Sequence, residues 1–362
     1  MIESLRNKFV KERFDLQEIL LVPVFATVLA LLIGCFFLLA TGESFANIFV
    51  AYSSLFIGSL GSLNAISETF TAATPLVFAA LGIALAFRAG LFNIGAEGQM
   101  IIGGLATVIV GFSIDFLPIW IHLPLALSIG ALFGALYAAI AGWLKAYTGA
   151  HEVISTIMLN LIALRLLDYV LRSPIIQKEG RNDPISKSIL DSAELPQILA
   201  FIDPQLRLHG GFLLMLVAVF FLYWLLFHTT IGYEFRATGA NPNAAKYAGI
   251  KAGLTIVLVM AIAGALAGLA GANQITGVLG RASPGFSASI GFDAIAVALL
   301  GRSHPIGVLF AGLLFGALIA GGRLMQVKAG VSVDLITIIQ ALIIVFIAAP
   351  LLIKKSLPWF FK

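Results

Sequence analysis

ILLVPVFATVLALLIGCFFLLA, residues 19–40, carries no charged side chain and no alternation of polar and apolar positions. A helix needs roughly 20 apolar residues to cross the hydrocarbon core of a bilayer. Outer-membrane strands instead alternate over about ten residues, so the stretch reads as a membrane-spanning helix and not as a barrel strand. A comparable uncharged run covers Leu335–Ile353. Of the 362 residues 60% are hydrophobic and only 11% charged, with mean hydropathy +1.03. That is more apolar side chain than one water-soluble core can cover. The expected fold is an all-α polytopic membrane protein.

Working outward, the hydropathy pattern predicts about ten transmembrane helices, at 19–40, 67–87, 96–114, 122–145, 151–172, 209–228, 252–272, 288–301, 304–321 and 332–353. Residues 45–60 are apolar but broken by Gly and Ser, and three readings stand: interfacial, re-entrant or an eleventh span. Residues 1–18 form a short arm, and 19–362 the transmembrane domain. The arm precedes a run too long for a signal-peptide core, so an uncleaved first helix is expected. Basic residues at both termini, Arg6, Lys8, Lys11, Arg13 and Lys354, Lys355, Lys362, place both ends in the cytoplasm. On this topology thirteen Lys/Arg fall inside and nine outside. The polar stretch 173–210 then lies outside the cell and 229–251 lies inside. The net charge of +4 comes from scattered residues with no basic block, which fits orientation signals and not nucleic-acid binding. Cys35 is the single cysteine, so one chain has no internal disulfide.

The chain repeats itself. GALFGALYA at 130–138 returns as GLLFGALIA at 312–320, identical at seven of nine positions. At the same offset beyond each, Glu152-Val-Ile-Ser is echoed by Asp334-Leu-Ile-Thr. NIGAEG (93–98) is echoed by SIGFDA (289–294), which matches Glu97 to Asp293. Under the topology above the two echoes run in opposite directions, so two inverted repeat halves are expected. Such halves build transporters with a site near the membrane midplane.

No G-x-x-x-x-G-K-[ST] loop is present to cradle ATP phosphates. His151-Glu152 lacks the second histidine a helical zinc pair requires, and His122, His209, His228 and His304 are isolated, as interfacial histidines are. Neither catalytic residues nor a metal or other cofactor is expected. The informative groups are polar residues in or beside apolar runs, because an ionised group at the bilayer centre is costly and turns toward protein or water. The substrate-pathway candidates are Asn93, Glu97, Gln99, Asn160, Asn273 and Asp293, with Glu152 and Gln274 also in such positions. A second reading stands beside this one. Asn93 caps the helix that follows, Glu97 sits in its first turn at the positive dipole end, and Asn160 bonds a neighbouring helix. Gly130/Gly134, Gly264/Gly268 and Gly312/Gly316 have the spacing that lets helices approach closely. In 229–251, Asn241-Pro242 before 243–248 is a helix start signal, and a short helix there would suit docking of a soluble partner.

FRAGLFNIGAEGQM (87–100), RATGANPNAAKYAGI (236–250) and GFDAIAVALLGRSHPIGV (291–308) together resemble the permease subunits of bacterial ABC importers of the simple-sugar and nucleoside group. That group is related to the ribose and branched-chain amino acid permeases. The resemblance covers about residues 65–350. It implies a bacterial inner-membrane permease, paired with a same or paralogous second permease, a cytoplasmic ATPase and an extracytoplasmic substrate-binding protein. ATP hydrolysis would belong to the ATPase. The loop at 236–250 matches the family's coupling loop, and its carried-over coupling residues are Arg236, Gly239, Ala240, Asn241, Pro242, Ala244, Ala245, Tyr247 and Gly249. The FNIGAEGQ motif points first to nucleosides, with simple sugars or riboflavin as alternatives. The rival is a secondary transporter that uses Glu97 and Asp293 as proton or cation sites; an integral-membrane enzyme finds no nucleophile–base or metal constellation.

Overall fold

The computed structural model describes residues 16–332 and 334–348, and these are helical throughout apart from connecting segments. The predicted arm 1–18 lies largely, and the C-terminal end of the last predicted span (349–353) wholly, outside the described residues. Thirteen α-helices follow one another among the described residues: α1 Leu16–Ala40, α2 Phe45–Leu60, α3 Leu63–Arg88, α4 Ala96–Ser113, α5 Ile119–Trp143, α6 Glu152–Leu171, α7 Gly211–His228, α8 Thr230–Ala240, α9 Pro242–Tyr247, α10 Ala252–Gln274, α11 Ile290–Leu300, α12 Pro305–Ala329 and α13 Asp334–Ala348. Seven are long and apolar enough to cross a membrane: α3, α4, α5, α6, α7, α10 and α12. Shorter apolar helical segments cover Thr27–Ala40 within α1, Phe45–Leu60 and Ile290–Leu300. Residues 45–60 are thus helical, 16 residues long. At about 1.5 Å per residue the helix falls short of a full hydrocarbon core of about 30 Å.

The chain divides into two compact units. In the smaller, which comprises residues up to 58 and from 321, Tyr52 donates to the Leu31 carbonyl (2.6 Å) and Asn47 to the Ala329 carbonyl (3.0 Å). Cys35 is a free, partly buried thiol.

The larger unit, 59–320, is organised around α3, α4 and α10. The glycines singled out by spacing sit at its closest helix crossings. A Cβ on Gly134 would overlap the Gly264 carbonyl, and one on Gly268 would overlap the Gly130 carbonyl, so α5 and α10 meet backbone to backbone. Gly103 of α4 adds a third backbone at the same crossing, where a Cβ would stand 2.8 Å from the carbonyl oxygens of both Gly130 and Gly268. Gly316 of α12 packs on the backbone of α3 at Thr69 and Ala73. Between apolar helices in lipid this close van der Waals approach is a main source of attraction. The outward flanks of α5, α6 and α7 stay apolar, with Trp120, Leu161 and Phe220 exposed.

The segment 173–210, read from sequence as a polar extracytoplasmic loop, is a folded cap over one end of this unit. Leu190 N–H donates to the Gly111 carbonyl, Ile189 N–H to that of Gly280, Leu195 N–H to that of Thr276, and Leu208 N–H to the Ser67 hydroxyl. The cap therefore ties together the end of α4, the end of α10 and the start of α3. The opposite end carries Arg88–Gly90, α8, α9 and Ser303.

Candidate functional site

Two of the non-helical breaks of the larger unit, 89–95 and 280–289, come together. Backbone without regular hydrogen bonds survives at membrane depth only where it is buried in protein or lines a cavity. Both breaks lead into helix N-termini, of α4 and α11, and these meet at Glu97. One carboxylate oxygen of Glu97 accepts from the Ser287 hydroxyl (2.5 Å), and the other accepts from Gly291 N–H (2.8 Å) in the first turn of α11. Glu97 is 3% exposed. Its carboxyl oxygens thus lie against the positive ends of two helices. Gly291 has no room for a side chain, since a Cβ there would overlap the backbone of Glu97. From this junction α4 runs to the cap, where the Gly111 carbonyl is bonded, and α11 runs the other way. Beyond the end of α11, the Ser303 carbonyl accepts from Arg88 Nε (2.9 Å).

The other predicted pathway residues divide into three kinds. Asn93 and Gln99 form a reciprocal amide pair (3.1 and 3.2 Å), and Asn93 Oδ1 also accepts from Gly95 N–H (2.9 Å). Asn160 of α6 accepts from Gly98 N–H (2.8 Å) and donates to the Ile94 carbonyl (2.8 Å), which stitches α6 to the first break. These three are buried, with their polar groups turned to protein; Asn160 bonds a neighbouring segment as the packing reading expects, whereas the N-cap of α4 is Gly95 and not Asn93. Asp293 is only partly buried, two residues beyond Gly291. Asn273 is 1% exposed and neither atom of its carboxamide has a partner among the described residues. Glu152 is ion-paired with Lys145 (2.8 Å).

Three histidines depart from the interfacial expectation, His304 being 7% exposed. His122 and His209 are both fully buried. His122 contacts the Ser192 hydroxyl (2.7 Å) and the Val110 carbonyl (3.1 Å), one through each ring nitrogen. Neither ring nitrogen of His209 has a partner among the described residues. Burial, with Arg207 nearby, pushes its imidazole down to about 4. No sequence periodicity marked His122 and His209, because their burial depends on the fold of the cap.

At the opposite end, Asn241 caps α9 as its sequence signature predicts, accepting from Asn243 N–H (3.0 Å) and Ala244 N–H (3.1 Å), with Pro242 in the first turn. The helix begins one residue earlier than the predicted 243–248. Only Ala245 of α9 is buried; Tyr247 is 95% exposed. The preceding α8 was not anticipated, and it packs Gly239 onto the first break. A Cβ on Gly239 would overlap the Arg88 carbonyl and stand 2.6 Å from Ala89 C, while Gly90 opposite has φ +72. Arg88 and Arg236 both lie over the Phe227 ring, at 5.9 and 5.4 Å from its centre. Ala240 and Gly249 frame α9, Gly249 with φ +85.

A family model described as "Branched-chain amino acid transport system / permease component" matches residues 65–348. A guanosine ABC transporter permease of Bacillus subtilis (strain 168) is 40% identical, covering 92% of this chain and 94% of its own length. A nucleoside ABC transporter permease of Lactococcus lactis subsp. cremoris is 37% identical, covering 93% of each. A glucose ABC transporter permease of Haloferax volcanii is 35% identical, covering 92% of this chain and 88% of its own length. No solved structure matches the chain significantly.

Proposed function

The chain belongs to the permease family of branched-chain amino acid transport systems, and on that premise we propose that it passes nucleosides through a bacterial inner membrane by alternating access. It works with a second permease subunit, cytoplasmic ATPases and an extracytoplasmic binding protein. The observation that carries the mechanism is the contact of Gly239 with Arg88–Ala89. A push on the exposed face of α9 reaches α8, and α8 rests directly on the backbone break that leads to Glu97. In this reading 229–251 faces the cytoplasm, the cap 173–210 faces outward and both termini are cytoplasmic.

The meeting of α4 and α11 at Glu97, from which the two helices depart in opposite directions, supports two inverted halves related through NIGAEG and SIGFDA. It also supports about ten crossings, with 280–289 and α11 together making one broken crossing. The guanosine and nucleoside relatives favour nucleosides, and the glucose relative makes simple sugars the alternative cargo. Ribonucleosides and sugars share vicinal hydroxyls on a neutral body, the chemistry a common pathway would recognise. The secondary-transporter rival is weakened because both Glu97 oxygens are already held by protein donors.

Reconstitution of the chain with its candidate permease partner, ATPase and binding protein into proteoliposomes tests the proposal. ATP-dependent accumulation of labelled guanosine supports it. Uptake by this chain alone under an ion gradient overturns it, and accumulation of glucose but not guanosine moves the cargo to sugars.

A further inference from the structure

Many buried polar side chains find protein partners, and among the exceptions, Thr238 and Gln340 included, one pair of neighbours is informative. His122, Asn93, Gln99 and Asn160 all find protein partners. His209 and Asn273, 0% and 1% exposed, leave both ring nitrogens and both carboxamide atoms without a partner among the described residues. Buried polar atoms left unpaired lower stability, and native proteins keep few of them.

These two side chains are neighbours. The position of a Cβ on Gly211 lies 2.9 Å from His209 Nδ1 and 3.0 Å from Asn273 Cγ. On the other side of the ring, a Cβ on Gly277 would stand 2.6 Å from His209 Cε1 and Nε2. Glycines at 211 and 277 thus make the space in which the imidazole and the carboxamide sit together. Gly277 belongs to the π-helical turn Ile275–Leu279 that ends α10, a local irregularity often found at functional sites. Directly above lies the cap: Leu195 N–H donates to the Thr276 carbonyl and Gly210 N–H to that of Pro196.

We propose that His209 and Asn273 form a solute-binding site for vicinal hydroxyls, occupied when the cap end of the permease opens. The assignment rests on the transport function proposed above and adds to it a binding group, His209, in a part of the chain that the sequence motifs do not reach. The chemistry selects the ligand class. A neutral imidazole offers one donor and one acceptor, and a carboxamide offers two donors and an acceptor. Hydroxyls, each donor and acceptor at once, can satisfy all of these, whereas a cation finds no charge here to pair with. The imidazole is neutral at ordinary pH because burial and Arg207 hold it down to about 4.

Two measurements on Asn273→Leu and His209→Phe, which replace each polar group with an apolar one of similar shape, test the site. The first is the melting temperature of the purified full-length chain in detergent. It is expected to rise in both variants, since unpaired polar atoms are removed; a fall in both overturns the site by showing that those atoms have partners in the folded protein. The second is ATP-dependent uptake by the complete reconstituted transporter, comparing guanosine with 2′,3′-dideoxyguanosine, or glucose with its deoxy analogues if glucose is the cargo. The preference for the hydroxylated compound is expected to fall about tenfold, the factor for one lost hydrogen bond. Unchanged preference in both variants overturns the site while leaving the transport function intact. Failure of the wild type to take up any of these compounds instead removes the transport reading, and the melting temperatures then decide whether an unpartnered site exists.

Discussion

Glu97 separates a structural from a transport role most sharply, and Glu97→Ala and Glu97→Gln should behave very differently. The alanine variant removes both acceptors and leaves the Ser287 hydroxyl and Gly291 N–H buried without partners. Hydrogen bonds to a charged group contribute about 1.5–3 kcal/mol each. The loss is therefore about 3–6 kcal/mol, a large part of the roughly 5–15 kcal/mol by which a folded protein is stable. In the glutamine variant Oε1 can still accept from Gly291 N–H, while the amide donates to Ser287, whose hydroxyl turns to accept. Both contacts survive, at a cost of about 1 kcal/mol. The assay is the yield and melting temperature of folded protein in detergent, beside ATP-dependent guanosine uptake by the reconstituted transporter. Glu97→Ala should lose folded protein and uptake together, and Glu97→Gln should keep most of both. Adding Ser287→Ala to Glu97→Ala should cost little more, since the interaction is already gone. A glutamine variant as stable as wild type with no uptake would refute the reasoning, because it would make the negative charge itself part of transport.

Gly239→Ala should uncouple ATP hydrolysis from uptake: the new methyl group meets the backbone of Arg88 and Ala89, which cannot yield as a flexible side chain does. Folded yield is expected to stay near wild type because α8 can lift from that contact, and unimpaired uptake would remove Gly239 from the coupling path. Gly268→Val should reduce folded protein strongly, since overpacking costs about 1–3 kcal/mol even in side-chain cores and here the Gly130 carbonyl and the Gly134 backbone stand in the way; a normal melting temperature would contradict the crossing described. His209 makes stability depend on pH. Its folded value of about 4 lies below the usual 6.5, so as pH falls from about 6.5 toward 4 the unfolded chain takes up a proton that the folded one does not, and stability falls by at most about 3 kcal/mol. Melting temperature measured across that window should drop in the wild type and drop less in His209→Phe.

Most of the helices were legible because hydropathy measures what a bilayer demands: apolar runs predicted α3, α4, α5, α6, α7 and α10 to within a few residues, and the start but not the end of α12, which continues past the predicted 321 to Ala329. The α9 cap was legible because Asn-Pro carries its geometry locally. The glycine crossings could be read as close approaches, but not which helices meet, since spacing on one helix does not name its partner. Polarity drew attention to Asn93, Glu97, Gln99 and Asn160 without distinguishing a pathway from a brace, because both need buried polar groups. The burial of His209 was hidden for a further reason. It depends on a polar segment, 173–210, that folds back over the helices through main-chain bonds, which sequence patterns do not specify.

The same contacts suggest how rigid and yielding parts are divided within the larger unit. Where α4, α5 and α10 meet at Gly103, Gly130, Gly134, Gly264 and Gly268, backbone lies on backbone. Relative sliding there would drive carbonyls into Cα atoms, so these helices are suited to move together. Apart from the contact of Gly239 with Arg88–Gly90, the breaks at 89–95 and 280–289 show no such interlock; they are held by discrete hydrogen bonds, among them those of Asn93, Asn160 and Glu97, which can be exchanged one at a time. Positive φ at Gly90, Gly285, Ala288 and Ser289 shows backbone already outside helical geometry at the same places. A permease that must change its open side needs bending to concentrate at a few points, since close-packed interiors resist continuous deformation. Gly239 rests on one of those points and Glu97 joins both. If the division holds, an Asn160→Leu variant, which unpins the first break while leaving the glycine crossings intact, should speed hydrogen exchange at 89–98 without speeding it in α10; equal acceleration in both would mean that the breaks and the interlocked helices open as one unit.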